Sequence, residues 1–214
     1  MIRAVIFDMD GLITDSERLA LSVIPQAGRL QGYEIPLSLI KATTGVTVAY
    51  AIDKYHEIFP QLDAQKLFTD FRILMHELAK EGKIPLKKGV KELLFALKEK
   101  NIPRAVASSS PVATIELYLS QAGILQDFQY LQSGGGDIPS KPAPDVFLLA
   151  AKALGVAPRD CLVLEDSANG VKAGRAAGMQ VCMVPDIIPF HPDLAPYCDH
   201  VLDDLTQVIP LLDV

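Results

Sequence analysis

The amino-acid sequence predicts an α/β fold: a three-layer Rossmann-like core, with a parallel sheet between helices, and an inserted small all-helical domain. Two patterns indicate this. After residue 85, short apolar runs alternate with stretches of helical period, which is typical of a parallel sheet built from strand–helix units. From Glu17 to Gly82 the pattern is helical throughout, so the first strand must pair with a sheet that resumes only after this interval.

The chain therefore crosses between two predicted units. We expect residues 1–16 and 85–214 to form the Rossmann-like core and residues 17–84 to form the helical domain. The two crossings, at Leu12–Ser16 and Lys80–Leu86, are the predicted hinges.

Each predicted element has its own signal. Six apolar runs predict the strands: Ala4–Phe7, Arg104–Ala107, Gln129–Leu131, Cys161–Leu164, Val181–Val184 and His200–Leu202. Apolar residues at helical spacing predict three helices, on the faces Val90/Leu93/Leu94/Leu97, Phe147/Ala150/Ala151/Leu154 and Leu67/Phe71/Leu74/Met75/Leu78. Gly155 and Gly82 are expected to end the last two. A further helix is expected to begin at Pro111, behind a serine cap.

Composition limits the class of function. Half of the 214 residues are hydrophobic and the formal net charge is −6, so the chain can bury a core and has no basic excess for binding nucleic acid. Met1 leads directly into a strand, so neither a signal peptide nor a membrane span is predicted. Three cysteines without CxxC spacing are expected to be reduced thiols. We expect a cytoplasmic monomer without nucleic-acid or membrane partners.

Two carboxylates follow the first strand directly. Asp8 and Asp10 lie two residues apart, and Gly11 permits an abrupt change of direction after them. In open α/β sheets the ligand crevice lies at the carboxyl ends of the strands, where these side chains would emerge. Capping of a turn is an equally good interpretation of this pair alone.

A second acidic pair, Glu165 and Asp166, ends a later apolar strand. Four carboxylates that converge on one crevice are costly unless a cation neutralises them. Oxygen ligands without histidine or thiolate favour a hard ion, and Mg²⁺ suits a phosphate site. Asp166 or Ser167 is also expected to cap the helix that begins near Ala168.

Two further strand ends carry groups that suit an anion. Ser108 ends the strand that begins at Arg104, and its hydroxyl, with the backbone N–H groups of Ser109 and the next residues, can hold phosphate oxygens. Lys141 supplies a point positive charge. A single serine or lysine on a loop is usually only solvated, so the prediction depends on all these residues following strands of the same sheet.

The four segments together resemble the motifs of haloacid dehalogenase-type hydrolases. They are Phe7–Glu17 (FDMDGLITDSE), Ala107–Ser110 (ASSS), Lys141–Asp145 (KPAPD) and Glu165–Gly170 (EDSANG). Within that superfamily they are most similar to the subgroup of β-phosphoglucomutase and the sugar-phosphate phosphatases. The resemblance covers the whole predicted core and implies that the helical interval is a cap domain.

The resemblance also implies roles. Asp8 would be the nucleophile that forms an aspartyl-phosphate, and Asp10 would protonate the leaving oxygen and then accept a proton from water. Mg²⁺ would be held by the Asp8, Glu165 and Asp166 carboxylates and by the main-chain carbonyl of Asp10. Ser108, Ser109 and Lys141 would bind the phosphate of a small phosphorylated metabolite.

Two outcomes remain open after phosphorylation. Mutases of this subgroup carry a lysine and an arginine in the cap loop that corresponds to residues 44–48, and a lysine where this chain has Pro111. Thr44, Val48 and Pro111 are uncharged, so a second phosphate would be bound poorly. We therefore expect a phosphatase, with a sugar phosphate as the favoured substrate, and keep a β-phosphoglucomutase-type mutase as the alternative. Thr43, Thr44, Tyr50, Arg72 and His76 are candidate specificity residues of the cap.

Two interpretations come from other classes of protein. A phosphoreceiver domain also gathers acids, Mg²⁺, a hydroxyl and a lysine, but its phosphorylated aspartate follows a later strand and it lacks a helical insertion. A non-catalytic binding module on the same fold is the other alternative. The acidic pairs, the serine and the lysine are all present here, and this favours an enzyme.

Overall fold

Six parallel strands make up one sheet in the computed structural model, which describes residues 1–213. They are β1 (Ala4–Phe7), β2 (Arg104–Ser108), β3 (Tyr130–Ser133), β4 (Cys161–Glu165), β5 (Gln180–Met183) and β6 (His200–Val201). The order across the sheet is β3-β2-β1-β4-β5-β6. The chain leaves β1 towards β2 and later returns to place β4 on its other side, so the switch point of the sheet lies between β1 and β4.

Helices cover both faces of this sheet. The four are α5 (Val90–Glu99), α6 (Val112–Gln121), α7 (Asp145–Leu154) and α8 (Ala168–Ala176). Successive side chains of β1 alternate between the faces: Val5 and Phe7 pack in the cluster that contains α5 and α6, whereas Ala4 and Ile6 pack with α7 and α8. All four are fully buried, which explains why the strand is a continuous apolar run.

The interval between β1 and α5 contains four helices and no strand. They are α1 (Ser16–Arg29), α2 (Leu37–Ala42), α3 (Val48–Ile58) and α4 (Ala64–Lys80). Their buried apolar residues, such as Ile40, Tyr55 and Leu67, form a cluster separate from the two that flank the sheet. The separate cluster supports the predicted helical domain, whose bounds at 17 and 84 remain a prediction.

The two predicted hinge segments lie side by side. Thr14 pairs with Leu86, and the backbone N–H of Asp15 donates to Pro85 O at 2.8 Å. An ionic group ties this point to the loop after β5, because Lys87 Nζ lies 2.5 Å and Arg18 Nη2 3.0 Å from Oδ1 of the buried Asp186. Both crossings are therefore anchored to the core at one place.

The α/β fold with a three-layer parallel core is confirmed, with small displacements of its elements. β3 extends two residues beyond the predicted end, because Gln132 and Ser133 carry no apolar signal. Gly155 ends α7 with φ +69° as expected. Four 3₁₀ segments complete the chain: Leu125–Asp127, Pro158–Asp160, Pro192–Tyr197 and Leu205–Asp213. No helix among residues 1–213 combines the length and the apolar character that a bilayer span requires.

The predicted start of the helix after Ser110 is wrong by one residue. Pro111, with φ −57° and ψ 147°, precedes α6 as its N-cap, and the Ser110 hydroxyl makes no capping bond to α6. Helical backbone is disfavoured for a residue before proline, and the Ser110 hydroxyl donates to Asp10 instead of capping the helix.

Candidate active site

Three buried carboxylates meet at the carboxyl ends of β1 and β4. Asp8, Glu165 and Asp166 each offer an oxygen atom, and these atoms lie within 4.8 Å of one another. The backbone N–H of Asp8 donates to Leu164 O at 2.9 Å, which continues the pairing of the two strands into the site. The acids thus converge because their strands are neighbours at the switch point of the sheet.

Lys141 is the counter-charge of this cluster. Its Nζ donates to Asp8 Oδ1 at 2.5 Å, to Glu165 Oε1 at 2.6 Å and to Ala107 O at 3.1 Å. Burial opposes the positive charge of Lys141, but the two carboxylates outweigh it and raise the pKa of the ammonium group above its usual value. One cation therefore faces three carboxylates.

The carboxylates are not fully compensated by this lysine. Burial raises the pKa of Asp8 to about 8, because the lowering effect of Lys141 is smaller than the desolvation, to which Glu165 and Asp10 add. Burial, together with the charges of Glu165 and Glu17, raises the pKa of Asp166 well above its usual value. A further cation at this point would restore the ionised forms.

The donor set fits a divalent metal ion. Glu165 Oε2 already accepts from the backbone N–H of Asp166 and from the N–H and hydroxyl of Ser167. The Asp166 carboxylate, in contrast, accepts no hydrogen bond from any group among residues 1–213, although it is only 6% exposed. Three acids with oxygen donors alone suit a hard ion such as Mg²⁺. Asp8, Glu165 and Asp166 could hold it.

Two glycines make room for the acids. A Cβ on Gly11, where φ is +82°, would lie 2.3 Å from Asp166 Oδ2. A Cβ on Gly170 would lie 1.8 to 2.1 Å from the carboxylate atoms of Glu165. Any larger residue at either position would displace a carboxylate of the cluster. Ser167 caps α8 by accepting from the backbone N–H of Gly170 at 3.0 Å, as one of the two capping alternatives predicted.

Asp10 lies beside the cluster, with its side chain held by hydroxyl groups. Ser16 Oγ donates to Asp10 Oδ1 at 2.7 Å, and Ser110 Oγ donates to Asp10 Oδ2 at 2.8 Å. Ser108 Oγ lies 3.5 Å from the same Oδ2 and accepts from the backbone N–H of Ser110 at 3.0 Å. The Asp10 carboxyl is therefore fixed from both sides, by the first residue of α1 and by the loop after β2.

All seven residues predicted for the site border one cavity of about 550 Å³: Asp8, Asp10, Ser108, Ser109, Lys141, Glu165 and Asp166. Ser108 and Lys141 are buried, whereas Ser109 is exposed at the mouth. Gly45, Val46, Thr47, Val48 and Ala49 form the opposite wall.

Three further residues of the site were missed by the sequence-based prediction. Ser16 and Ser110 contact Asp10, and Glu17 borders the cavity. Burial raises the pKa of Glu17 to about 8, with a further contribution from the charge of Asp10. Ser16 and Glu17 lie within the first motif, but a single sequence does not indicate which side of a turn they face.

The candidate specificity residues of the cap lie elsewhere. Thr43, Thr44, Arg72 and His76 border a second cavity, and Tyr50 borders neither cavity.

Carboxylates, a lysine and serines lie at the switch point of a parallel sheet, below a helical insertion, which is the arrangement that the four sequence motifs predicted. The chain belongs to the haloacid dehalogenase-like hydrolases, because residues 2–178 match the sequence model of that family. The predicted family and class of enzyme are confirmed.

Relatives and solved structures agree with this assignment. Protein YhcW of Bacillus subtilis (strain 168) is 33% identical over 210 residues, which cover 97% of this chain and 94% of that protein. Hexitol phosphatase B of Escherichia coli (strain K12) is 34% identical over 191 residues, covering 86% of this chain and 84% of that protein. The crystal structure of β-phosphoglucomutase from Clostridium difficile matches with a TM-score of 0.78 at 24% identity, over 97% of this chain and 93% of that one, and shows the shared fold.

Proposed function

We propose that this protein is a Mg²⁺-dependent phosphatase that hydrolyses a small phosphorylated metabolite through an aspartyl-phosphate on Asp8. The family supports phosphoester hydrolysis, and the contact between Lys141 and Asp8 supports the choice of nucleophile. Asp8 lies where a phosphoryl group could reach a carboxylate oxygen, the lysine and the Ser108 hydroxyl in one cavity.

In the first half of the reaction, an Asp8 oxygen forms a bond to phosphorus while the bond from phosphorus to the ester oxygen breaks. Asp10 gives its proton to the departing oxygen, which leaves as an alcohol. Ser16 and Ser110 hold the Asp10 carboxyl in place for this transfer. Lys141 and Ser108 bind the phosphoryl oxygens as negative charge builds up on them.

In the second half, water takes the place of the alcohol. Asp10, now a carboxylate, accepts a proton from the water, whose oxygen bonds to phosphorus as the bond to Asp8 breaks. Inorganic phosphate leaves, Asp8 is restored as a carboxylate, and Asp10 carries a proton again. The same residue thus acts as acid and then as base.

A bound Mg²⁺ would neutralise phosphoryl oxygen charge and keep Asp8 ionised. The carboxylates of Asp8, Glu165 and Asp166 would hold it, together with the main-chain carbonyl of Asp10. Asp166 is the strongest candidate ligand because its carboxylate has no protein donor among residues 1–213.

The observation that favours hydrolysis over a mutase reaction is the charge of the cavity wall. Lys141 is the only lysine or arginine among the residues that border the Asp8 cavity, all of which lie within the described part of the chain. The cap loop on the opposite wall, from Gly45 to Ala49, contributes no cation. The Asp8 cavity therefore offers a cation to one phosphoryl group, and its cap-loop wall offers none to a second.

Phosphate release and hexose 1-phosphate/6-phosphate interconversion should be measured on the same preparation in Mg²⁺. We expect release of inorganic phosphate to be faster, and an Asp8→Asn variant to fold but release none. Faster interconversion would favour the mutase, and turnover by the Asp8→Asn variant would contradict the proposed nucleophile. A phosphoreceiver would instead accumulate a stable aspartyl-phosphate without repeated turnover, and a binding module would release no phosphate at all.

A further inference from the structure

A second cavity, of about 660 Å³, is bordered by Asp10 but not by Asp8. It shares Asp10 and Glu17 with the Asp8 cavity, and Ser16 and Ser110 border it as well. If phosphorus lies at Asp8 and the leaving oxygen at Asp10, the rest of the leaving group extends into this second cavity. We call it the leaving-group cavity.

The walls of the leaving-group cavity are predominantly apolar. Cap helices α1, α2 and α4 and core helix α6 contribute aliphatic and aromatic side chains to it: Ile24, Ile40, Phe68, Phe71, Met75 and Tyr118. Four of these six are themselves buried, so they form a wall and not an exposed fringe. A wall of this kind stabilises a ligand by removing apolar surface from water.

Three threonine hydroxyls along this cavity already donate to helix carbonyls. Thr43 Oγ1 donates to Leu39 O at 2.9 Å, Thr44 Oγ1 donates to Ile40 O at 3.0 Å, and Thr69 Oγ1 donates to Gln65 O at 2.9 Å. Each hydroxyl has one proton, so these threonines offer none to a ligand without losing a helix contact. A polyol oxygen enclosed beside these three threonines would find no free donor among them, which is costly.

The charged groups of the lining fall into two sets. Arg72, His76 and Glu77 are exposed on α4, whereas Glu17 and Asp10 are shared with the Asp8 cavity. Phe68, Phe71 and Tyr118 are the aromatic side chains of the lining. The shared carboxylates would repel a second anionic group next to the scissile bond.

Resting on the proposed phosphatase function, we infer that the leaving group is an alcohol with an apolar or aromatic ring as its body. The enzyme prefers such a phosphomonoester to a hexose or hexitol phosphate. This narrows the substrate class, and it differs from the sugar phosphate that the motifs favour.

The test compares esters of primary alcohols, so that the intrinsic reactivity of the leaving oxygen is similar. Rates of phosphate release in Mg²⁺ are measured for 2-phenylethyl phosphate and cyclohexylmethyl phosphate, and for glucose 6-phosphate and sorbitol 6-phosphate. We expect kcat/KM to be higher for the two ring-bodied esters by about tenfold or more, the range that apolar contacts give. Equal or higher values for the sugar and hexitol esters would overturn the inference while supporting the phosphatase. No release from any of the four would contradict the proposed function itself, and the inference with it.

Two variants locate the preference in the cavity. Phe71→Ala should lower the ratio of kcat/KM for 2-phenylethyl phosphate to that for glucose 6-phosphate by about tenfold. Leu74→Ala is the matched control, because Leu74 packs against the same helical core from α4 but does not border the cavity, and it should leave the ratio unchanged. If both variants change the ratio equally, the cavity does not set the preference.

A third variant, Ala20→Phe, fills the cavity from α1 and should lower kcat/KM most for the ring-bodied esters. An equal loss for all four esters would contradict the assignment.

Discussion

The Ser16 hydroxyl, on the first residue of α1, donates to Oδ1 of Asp10 at 2.7 Å, so the residue proposed as acid and base is held by the helix that enters the cap. Ser110 Oγ holds the other oxygen from the core at 2.8 Å. A movement of α1 relative to the core would therefore alter the Ser16 contact of Asp10 and leave the contacts from the loop after β2. The start of the helical domain is connected to the proton-transfer step by a single side chain.

Replacement of Ser16 by alanine should slow the chemical step. With its only donor on Oδ1 among residues 1–213 lost, the Asp10 carboxyl samples orientations that do not reach the leaving oxygen, and kcat should fall by about tenfold. Steady-state rates of phosphate release measure the effect. Ser22→Ala is the control on the same helix, because the Ser22 hydroxyl bonds only to Leu19 O, far from Asp10 in the chain. A Ser16→Ala enzyme with unchanged kcat would show that this contact has no part in turnover.

Replacement of Lys141 by methionine should abolish activity and lower stability. Removing one partner of a buried charge group leaves Asp8 and Glu165 uncompensated, which costs about 3 kcal/mol. Mg²⁺ supplies positive charge at the same place, so it should raise the melting temperature of the variant more than that of the wild type. Thermal unfolding with and without Mg²⁺ tests this, with Lys152→Met, at an exposed position of α7, as the control.

Equal Mg²⁺ effects on the Lys141→Met variant and the wild type would be the contradictory outcome. It would mean that the metal and the lysine do not face the same carboxylates.

Asp166 and Glu165 should differ in their effect on the metal. Asp166→Asn removes a carboxylate that accepts no hydrogen bond from residues 1–213, and it should raise the Mg²⁺ concentration for half-maximal activity more than Glu165→Gln does. The Glu165 oxygens are already bonded to Lys141 and Ser167, so Glu165 acts partly as a supporting group. Glu165→Gln should therefore raise the Mg²⁺ concentration for half-maximal activity by only about tenfold. Activity as a function of Mg²⁺ concentration measures both, and a larger effect of Glu165→Gln would reverse this ranking.

The sequence predicted the sheet and the main acids because both depend on local pattern. Asp8 and Glu165 each follow an apolar strand, and parallel strands bring their ends to one edge whatever the details of packing. Ser16, Ser110 and Glu17 could not be assigned in this way. Their contact with the site depends on the angle at which α1 leaves the hinge and on the course of the chain before Pro111, neither of which has a periodic signal.

The threonines of the cap illustrate the same limit. Threonines at 43 and 44 look like groups for a polyol when only the sequence is read, but their hydroxyls donate to carbonyls of α2. Polarity of a residue type is visible in the sequence, whereas the availability of its hydrogen-bonding atoms is set by the helix on which it lies.

Asp204 should make the stability of the protein depend on acid pH. Hydrogen bonds from Lys88 and from the Thr206 side chain and backbone lower its pKa from 3.8 to about 2. Because the folded pKa lies below the unfolded one, the stabilisation is complete above pH 3.8 and is lost as the pH falls towards 2. The Asp204 carboxylate is close to solvent, so screening reduces its contribution to stability to about 1 kcal/mol.

Asp204→Asn should therefore lower the free energy of unfolding at pH 7 by about 1 kcal/mol, and the difference from the wild type should shrink between pH 4 and pH 2. Urea unfolding at a series of pH values measures it, with Glu99→Gln, an exposed carboxylate at the end of α5, as the control. A difference that stays constant down to pH 2 would show that Asp204 acts by packing or capping of the Leu205–Asp213 segment and not by its charge.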